Sequence, residues 1–443
     1  MNNSHRDPVI VIGAGFTGLA AAYELSRRNV PVIVLESDDC IGGLAGSFFI
    51  PGQRLEKFYH HWFTNDEHIS SLMHELGVGD QILHRPTKTG SYYASKHYRL
   101  SSPLDVLKYK PLTPFARIRL GLLVLQARLV RNWQDLECIS AADWIRQKAG
   151  SEVFEKVWHP LLVGKFGELA NEVSAVWFWN KLVLRGGSRD RGGHEMLAYY
   201  KGGFSAFVDV LLERITAGAG EVHTSQRVDR ISLDSQGGAN GVYVDGRRLP
   251  ASFVLVTTAL PIFAELLRDT NHDMYVSQLR RIRYLGNTCL TLILDRSLSD
   301  TYWLNVSDPE FPYVGIIEHT NFESKSSYGG NHVVYMSKYL PVQDALYEMS
   351  PADTLEYALP HIQRMFPEFD VSWIVDFHVH KAEYSQPIVS KHYSDLIPEF
   401  ITPIKNLRLA TMAQIYPEDR GTNYAVREGR KAGQRIAQEW SQV

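Results

Sequence analysis

The sequence predicts an α/β protein in which a Rossmann-like, parallel-stranded nucleotide-binding domain is interleaved with an α+β domain containing a helical section and a mixed antiparallel sheet. Three observations predict it. An apolar strand, Val9–Ile12, runs straight into Gly13-Ala14-Gly15-Phe16-Thr17-Gly18 and a helix of small residues. A second apolar strand at 31–35 ends on Glu36, about 20 residues beyond the glycines, as a βαβ unit requires. Further apolar strands return at 252–259 and 406–411, and between these blocks the pattern changes to helical and alternating segments.

Each part of the first unit has a physical reason. Gly13, Gly15 and Gly18 allow a tight turn, close approach of the backbone to a pyrophosphate, and packing of helix on strand. Thr17 and residues 19–22 open a helix whose free N–H groups and dipole attract that anion. Glu36 accepts hydrogen bonds from ribose hydroxyls and repels a 2′-phosphate, so FAD or NAD is accommodated and NADP is not. Ser37 and a second glycine-rich turn, Gly42-Gly43-Leu44-Ala45-Gly46, follow at once. NAD has no need of such a turn, whereas the ribityl and isoalloxazine parts of FAD call for more close backbone approach, and the reading is FAD.

Further blocks follow in a recognisable order. They are Tyr199-Tyr200-Lys201-Gly202-Gly203-Phe204 with the apolar helix 206–215; the strand 221–224 and then Arg227-Val228-Asp229; the strand 252–259 with Thr257; and 406–411, then Arg420-Gly421-Thr422-Asn423-Tyr424 and a terminal helix. Strung together, they resemble the two-dinucleotide-binding-motif flavoproteins: amine oxidases, protoporphyrinogen oxidases, phytoene-type desaturases and UDP-galactopyranose mutases. The resemblance implies FAD held by Gly13, Gly15, Phe16, Thr17, Gly18, Glu36, Ser37, Gly42, Gly43, Leu44, Ala45, Val228, Thr257, Met412, Thr422, Asn423 and Tyr424. In these relatives the backbone at the position of Val228 meets the adenine, and a second helix N-terminus lies by the flavin pyrimidine carbonyl. Departures leave the subfamily open. Leu44 and Ala45 stand where amine oxidases carry arginines, and Ala410-Thr411-Met412 replaces the Ala-Gly-Asp or Ala-Gly-Glu of oxidases and desaturases. The stretch 408–411 and His61-Trp62-Phe63-Thr64-Asn65 resemble the mutases, while 158–167 resembles the helical domain of protoporphyrinogen oxidases.

Composition agrees with a large enzyme. The chain has 443 residues, 44% of them hydrophobic, enough for two intertwined domains. A net charge of −3 gives no general attraction to nucleic acid. Cys40, Cys138 and Cys289 have no zinc or disulfide spacing, which points to a reducing compartment. The polar start at 1–7 has no signal-peptide pattern and no apolar run spans a membrane, so the expected location is cytoplasmic. Residues 85–131 hold ten Lys or Arg and one acid, Asp105. On a helix over 113–133, Phe115, Ile118, Leu122, Leu125 and Leu129 share one side, and Arg117, Arg128 and Arg131 line the other. Such a helix is either a core helix with a solvated face, a docking surface for the inner face of an anionic membrane, or a binder of substrate phosphates.

Tyr59, His60 and His61 lie where relatives run a segment past the flavin ring, and Tyr384 falls in a segment resembling the floor of the substrate cavity; these are the candidate catalytic residues. Adjacent histidines on an extended strand point to opposite faces, so at most one of the pair should face the ring. His378 and His380 should share a face but lack a third ligand, so no metal is expected. The expected FAD domain comprises residues 1–85, 200–275 and 400–443. The substrate domain takes 86–199, largely helical, and 276–399, with antiparallel strands at 287–294, 332–338 and 372–380. The expected function is an FAD-dependent oxidoreductase accepting a hydride at flavin N5 from a large, lipid-linked or glycosylated small molecule. A sugar-nucleotide mutase without net redox and a non-catalytic flavin-binding escort are the alternatives.

Overall fold

The computed structural model describes residues 6–100, 102–189, 194–308 and 310–442; residues 1–5, most of the polar start read from the sequence, lie outside them. Five parallel strands make one sheet in the order Gly220–His223, Val32–Leu35, Val9–Ile12, Phe253–Val256, Leu407–Leu409. Its two central strands, VIVI and FVLV, are buried throughout, as strands covered on both faces must be. The helix Phe16–Ser26 is buried along its whole length because the last helix, Thr422–Gln442, lies directly on it. Two glycines on that last helix set the distance of approach. A Cβ on Gly429 would stand 2.2 Å from the Thr17 carbonyl oxygen, and one on Gly433 2.5 Å from that of Ala21. The buried Glu24 carboxylate, paired with Arg28 and with Arg430 of the last helix, ties the two together.

A second sheet has seven strands in the order Ile374–Pro387, Tyr284–Leu294, His332–Leu340, Gly315–Glu318, Trp303–Val306, Thr89–Tyr93, Lys96–Arg99. All pairs are antiparallel except Trp303–Val306 with Thr89–Tyr93. The three strands expected from alternation are adjacent here. The outermost begins at Ile374, after a turn at Val371–Trp373, and runs on to Pro387 because Tyr284–Leu294 offers partners along that length. The stretch 86–199, expected to be largely helical, opens with the two strands at 89–99 that close the other edge, and helices follow from 103 to 187.

The helix expected over 113–133 is shorter than expected, and of the readings open for it the one that sets the large apolar stripe in the core does not hold. It covers Pro114–Arg128, and a short turn, Trp133–Leu136, follows. Its core face is Ala116, Leu120, Leu123 and Ala127, packed on the helices Ala141–Ala149 and Ala175–Gly187. The alanines allow close approach, and the Trp179 indole N–H donates to the Ala127 carbonyl at 2.8 Å. The stripe read from the sequence as the apolar side therefore faces outward, with Phe115 69%, Leu125 55% and Leu129 76% exposed. Among the described residues, no helix is long and apolar enough to cross a membrane.

Candidate active site

The two glycine turns meet backbone to backbone. Gly13 has φ +103°, and a Cβ there would lie 2.9 Å from Thr257 Oγ1. Gly15 and Gly42 form an isolated parallel bridge, and the Gly42 N–H donates to the Ala14 carbonyl at 2.9 Å. Gly15 begins the helix Phe16–Ser26 with no side chain capping it, so the first N–H groups are open to an anion. Glu36 accepts the Ala14 N–H at 2.8 Å and the Asp38 N–H at 2.9 Å, which fixes its carboxylate beside the first turn.

These turns open on a cavity of about 1390 Å³. Every residue assigned to the cofactor from the sequence borders it except Gly18. Gly18 serves packing instead: a Cβ there would stand 2.0 Å from the Gly13 carbonyl oxygen. At the far end the cavity meets Thr422, Asn423 and Tyr424, where the last helix starts. Asn423 turns its side chain away, its Oδ1 accepting the His68 and Ile69 N–H groups at 2.9 and 3.1 Å, so its contribution to the cavity is backbone. Two buried wall hydroxyls, Thr258 Oγ1 and Thr411 Oγ1, have no partner within the protein. Two helix N-termini, close glycine backbones, a carboxylate and orphaned hydroxyls in one elongated cavity suit a flavin dinucleotide.

All four candidate catalytic residues border the same cavity. The segment 58–61 is not a strand, so the alternation expected for the histidine pair does not apply, and both rings line the wall. His60 Nδ1 lies 2.7 Å from the Phe58 carbonyl, which can only accept; the proton is on Nδ1 and Nε2 is left as an acceptor. Burial pushes this imidazole down to about 4, so it is neutral at pH 7. His61 bonds the Tyr302 hydroxyl at 2.9 Å and meets the Trp303 ring edge-on. Burial raises the Tyr59 phenol well above its ordinary value, and burial with Glu383 pushes Tyr384 up to about 12. His378 and His380 do share a face, stacked 6.4 Å apart over Phe48, away from the cavity wall.

Sequence reasoning missed the charged end of the site. The helix Ala175–Gly187 sends Trp177 and Lys181, one turn apart, to the wall, and Lys181 pairs with Asp419. Asp419 also accepts the Trp177 indole N–H at 2.9 Å. Burial alone would raise its carboxyl, but Lys181, Lys165 and Arg420 outweigh burial and hold it well below the usual carboxylate range. The available signals were the spacing of Trp177 and Lys181 and the position of Arg420 directly before Gly421-Thr422.

The profile described as "Flavin containing amine oxidoreductase" matches residues 16–437, from the first glycine turn through most of the last helix. The chain belongs to that family. Membership places this flavoprotein among the FAD-dependent oxidoreductases, with FAD as its cofactor. It is 28% identical over 176 residues to a probable zeta-carotene desaturase of Synechococcus elongatus, an alignment covering 34% of this chain and 37% of that one. The chain thus matches little more than a third of that relative's length. In fold it resembles a putative protoporphyrinogen oxidase from Exiguobacterium sp. 255-15, with TM-score 0.77 and 17% identity over 99% of this chain and 100% of the other. It also resembles a reduced UDP-galactopyranose mutase, with TM-score 0.74 and 13% identity over 98% and 96%.

Proposed function

We propose that this flavoprotein takes a hydride from a C–H, C–N or C–O(H) centre of a large, lipid-linked or glycosylated small molecule. The observation that carries the reading is the single continuous cavity, which joins both glycine turns to aromatic and apolar walls from the helical section and the seven-stranded sheet. Its volume exceeds the ~300–1,000 Å³ of ordinary ligand sites, which leaves room for a substrate beside a dinucleotide. Bound FAD supplies the hydride acceptor, N5. The protein's own share is orientation and electrostatics. Trp158, Trp177 and Trp303 form flat apolar walls for the substrate. The N-terminus of the last helix, at Thr422 on the cavity wall, favours negative charge at the flavin pyrimidine. His60, neutral with Nε2 free to accept, takes a hydrogen bond or a proton from the substrate, while His61 and Tyr59 line the same cavity. Tyr384 also lines the cavity.

The substrate reading extends to where the protein works. The outward stripe of Phe115, Ile118, Leu122, Leu125 and Leu129, with Leu104 and Leu107 close in sequence, is rimmed by the exposed Lys108, Lys110, Arg128 and Arg131. That combination suits the surface of an anionic membrane. The stripe's helix packs on Ala175–Gly187, whose other face lines the cavity.

Anaerobic mixing with candidate substrates tests the central claim. Substrate should bleach the oxidised flavin band near about 450 nm, and an electron acceptor should restore it. Turnover seen only after prior reduction, with no net electron transfer, would replace this reading with mutase chemistry.

A further inference from the structure

Three cations converge on one part of the cavity wall. Lys165 comes from the helix His159–Phe166, Lys181 from Ala175–Gly187, and Arg420 from the loop before the last helix. Among the described residues, Asp419, Asp66 and Glu418 are acids near them. Asp419 pairs with Lys181, and its backbone N–H donates to Asn180 Oδ1 at 3.1 Å. Asp66, the other acid near Lys181, is buried and accepts the Phe63 N–H at 2.9 Å. Glu418 is engaged elsewhere, with Arg427 at 2.6 Å. Lys165 lies over aromatic rings, 4.7 Å from the Trp177 centroid and 5.2 Å from Tyr339. Arg420 donates to the Tyr339 hydroxyl at 3.1 Å, and its Nε is buried with no partner. A buried guanidinium N–H left without a partner on a cavity wall, with two lysine side chains on the same wall, is costly unless an anion completes it.

We propose that Lys165, Lys181 and Arg420 form a receptor for a phosphate-type oxyanion carried by the substrate. The proposal rests on the flavin-cavity reading above and adds the substrate's charge to it. Arg420 supplies directional N–H donors, the two lysines supply point charges, and Asp419 holds Lys181 in place. Trp177 and Tyr339 form the walls next to which the neutral part of the substrate continues.

Holoenzyme is the material for the test, and its FAD content is measured first. Protein that carries no FAD would strike the flavin reading itself, before any anion is added. With FAD in place, inorganic pyrophosphate is titrated while the flavin spectrum and the heat of binding are followed. Binding should weaken about tenfold or more in Arg420→Gln and in Lys165→Gln with FAD content unchanged, and Arg420→Lys should recover only part of it, since it restores the charge without the directional N–H fork. Arg296→Gln, at an exposed surface arginine, should bind as the native protein does. Farnesyl diphosphate and UDP titrated in parallel tell a lipid source from a nucleotide source: whichever binds tighter names the carrier, and equal loss of both in the variants supports the receptor. The proposal is overturned if native holoenzyme binds no pyrophosphate at millimolar concentration. It is equally overturned if the variants bind it unchanged, or if they lose FAD along with the anion, which would give the cations to the flavin.

Discussion

At the scale of single residues, the three glycines of the first turn do different work, and they can be separated experimentally. A side chain at Gly15 would find only Gly43 Cα, 3.9 Å away, and otherwise project into the cavity. One at Gly18 would collide with backbone at 2.0 Å. Gly15→Val should therefore fold with a Tm within a few degrees of the native protein, yet purify colourless, because the methyls fill the space a pyrophosphate needs. Gly18→Ala should lose about 1–3 kcal/mol in a denaturant titration while the folded fraction keeps the ability to bind FAD. Equal flavin loss in both, at equal stability, would show that the packing distinction is wrong. The motif was legible as a motif, and only the coordinates divided it into contact and support.

At the scale of elements, the helix Pro114–Arg128 marks the limit of reading amphipathicity from a sequence. It carries two apolar faces, and periodicity alone chose the one with larger side chains. The fold chose the one with alanines, because only small residues let it approach Ala141–Ala149 and Ala175–Gly187 closely. The parallel sheet, both glycine turns and the terminal helix were legible because their constraints are local: strand, turn and cap follow one another along the chain. The cationic end of the cavity was not, because Lys165, Lys181 and Arg420 are brought together only by tertiary packing. The outward face makes a direct prediction. Replacing Phe115, Leu122 and Leu125 by Ser should abolish co-sedimentation with anionic vesicles and lower Tm by only a few degrees, since these side chains are 69%, 44% and 55% exposed. Replacing Arg128 and Arg131 by Gln should weaken the same binding by roughly thirtyfold at low salt, at about 1 kcal/mol per charge. Arg117 is a poorer probe, because its guanidinium bonds the Leu107 and Leu112 carbonyls, both at 2.9 Å, and its loss would disturb the helix itself. Native protein that ignores anionic vesicles at low salt would remove the membrane from the account.

At the scale of the whole molecule, buried histidines govern the response to acid. Burial pushes His60 and His380 down to about 4 and His319 down to about 3. All three are neutral in the fold and would take up protons below about 6.5 once unfolded. Their contribution to stability is complete above that pH and is lost as pH falls from 6.5 toward 4. Asp66 acts in the opposite sense. Burial raises it to about 6, so its part in stability declines as pH rises from 3.8 through 6. Glu56 and Glu318 are raised by burial and act with Asp66, whereas His68, His332 and His361 are lowered like the other three histidines; the six histidines outnumber the three carboxyls, and the urea midpoint should fall between pH 6.5 and 4.5. His319→Gln should flatten that slope, because His319 is the most strongly shifted of the three and its Nδ1 has no partner. The sheet order has a consequence for how the chain comes into being. The strand at 407–409 and the helix at 422–442 are made hundreds of residues after the first turn, yet they complete the sheet and cover the helix beside that turn. Until they emerge, the apolar flank of Phe16–Ser26 is uncovered and the far end of the cavity does not exist. The nascent chain must therefore hold an unfinished nucleotide site until residues 407–442 are made, a long-range closure that folds slowly and leaves the growing polypeptide dependent on protection from aggregation.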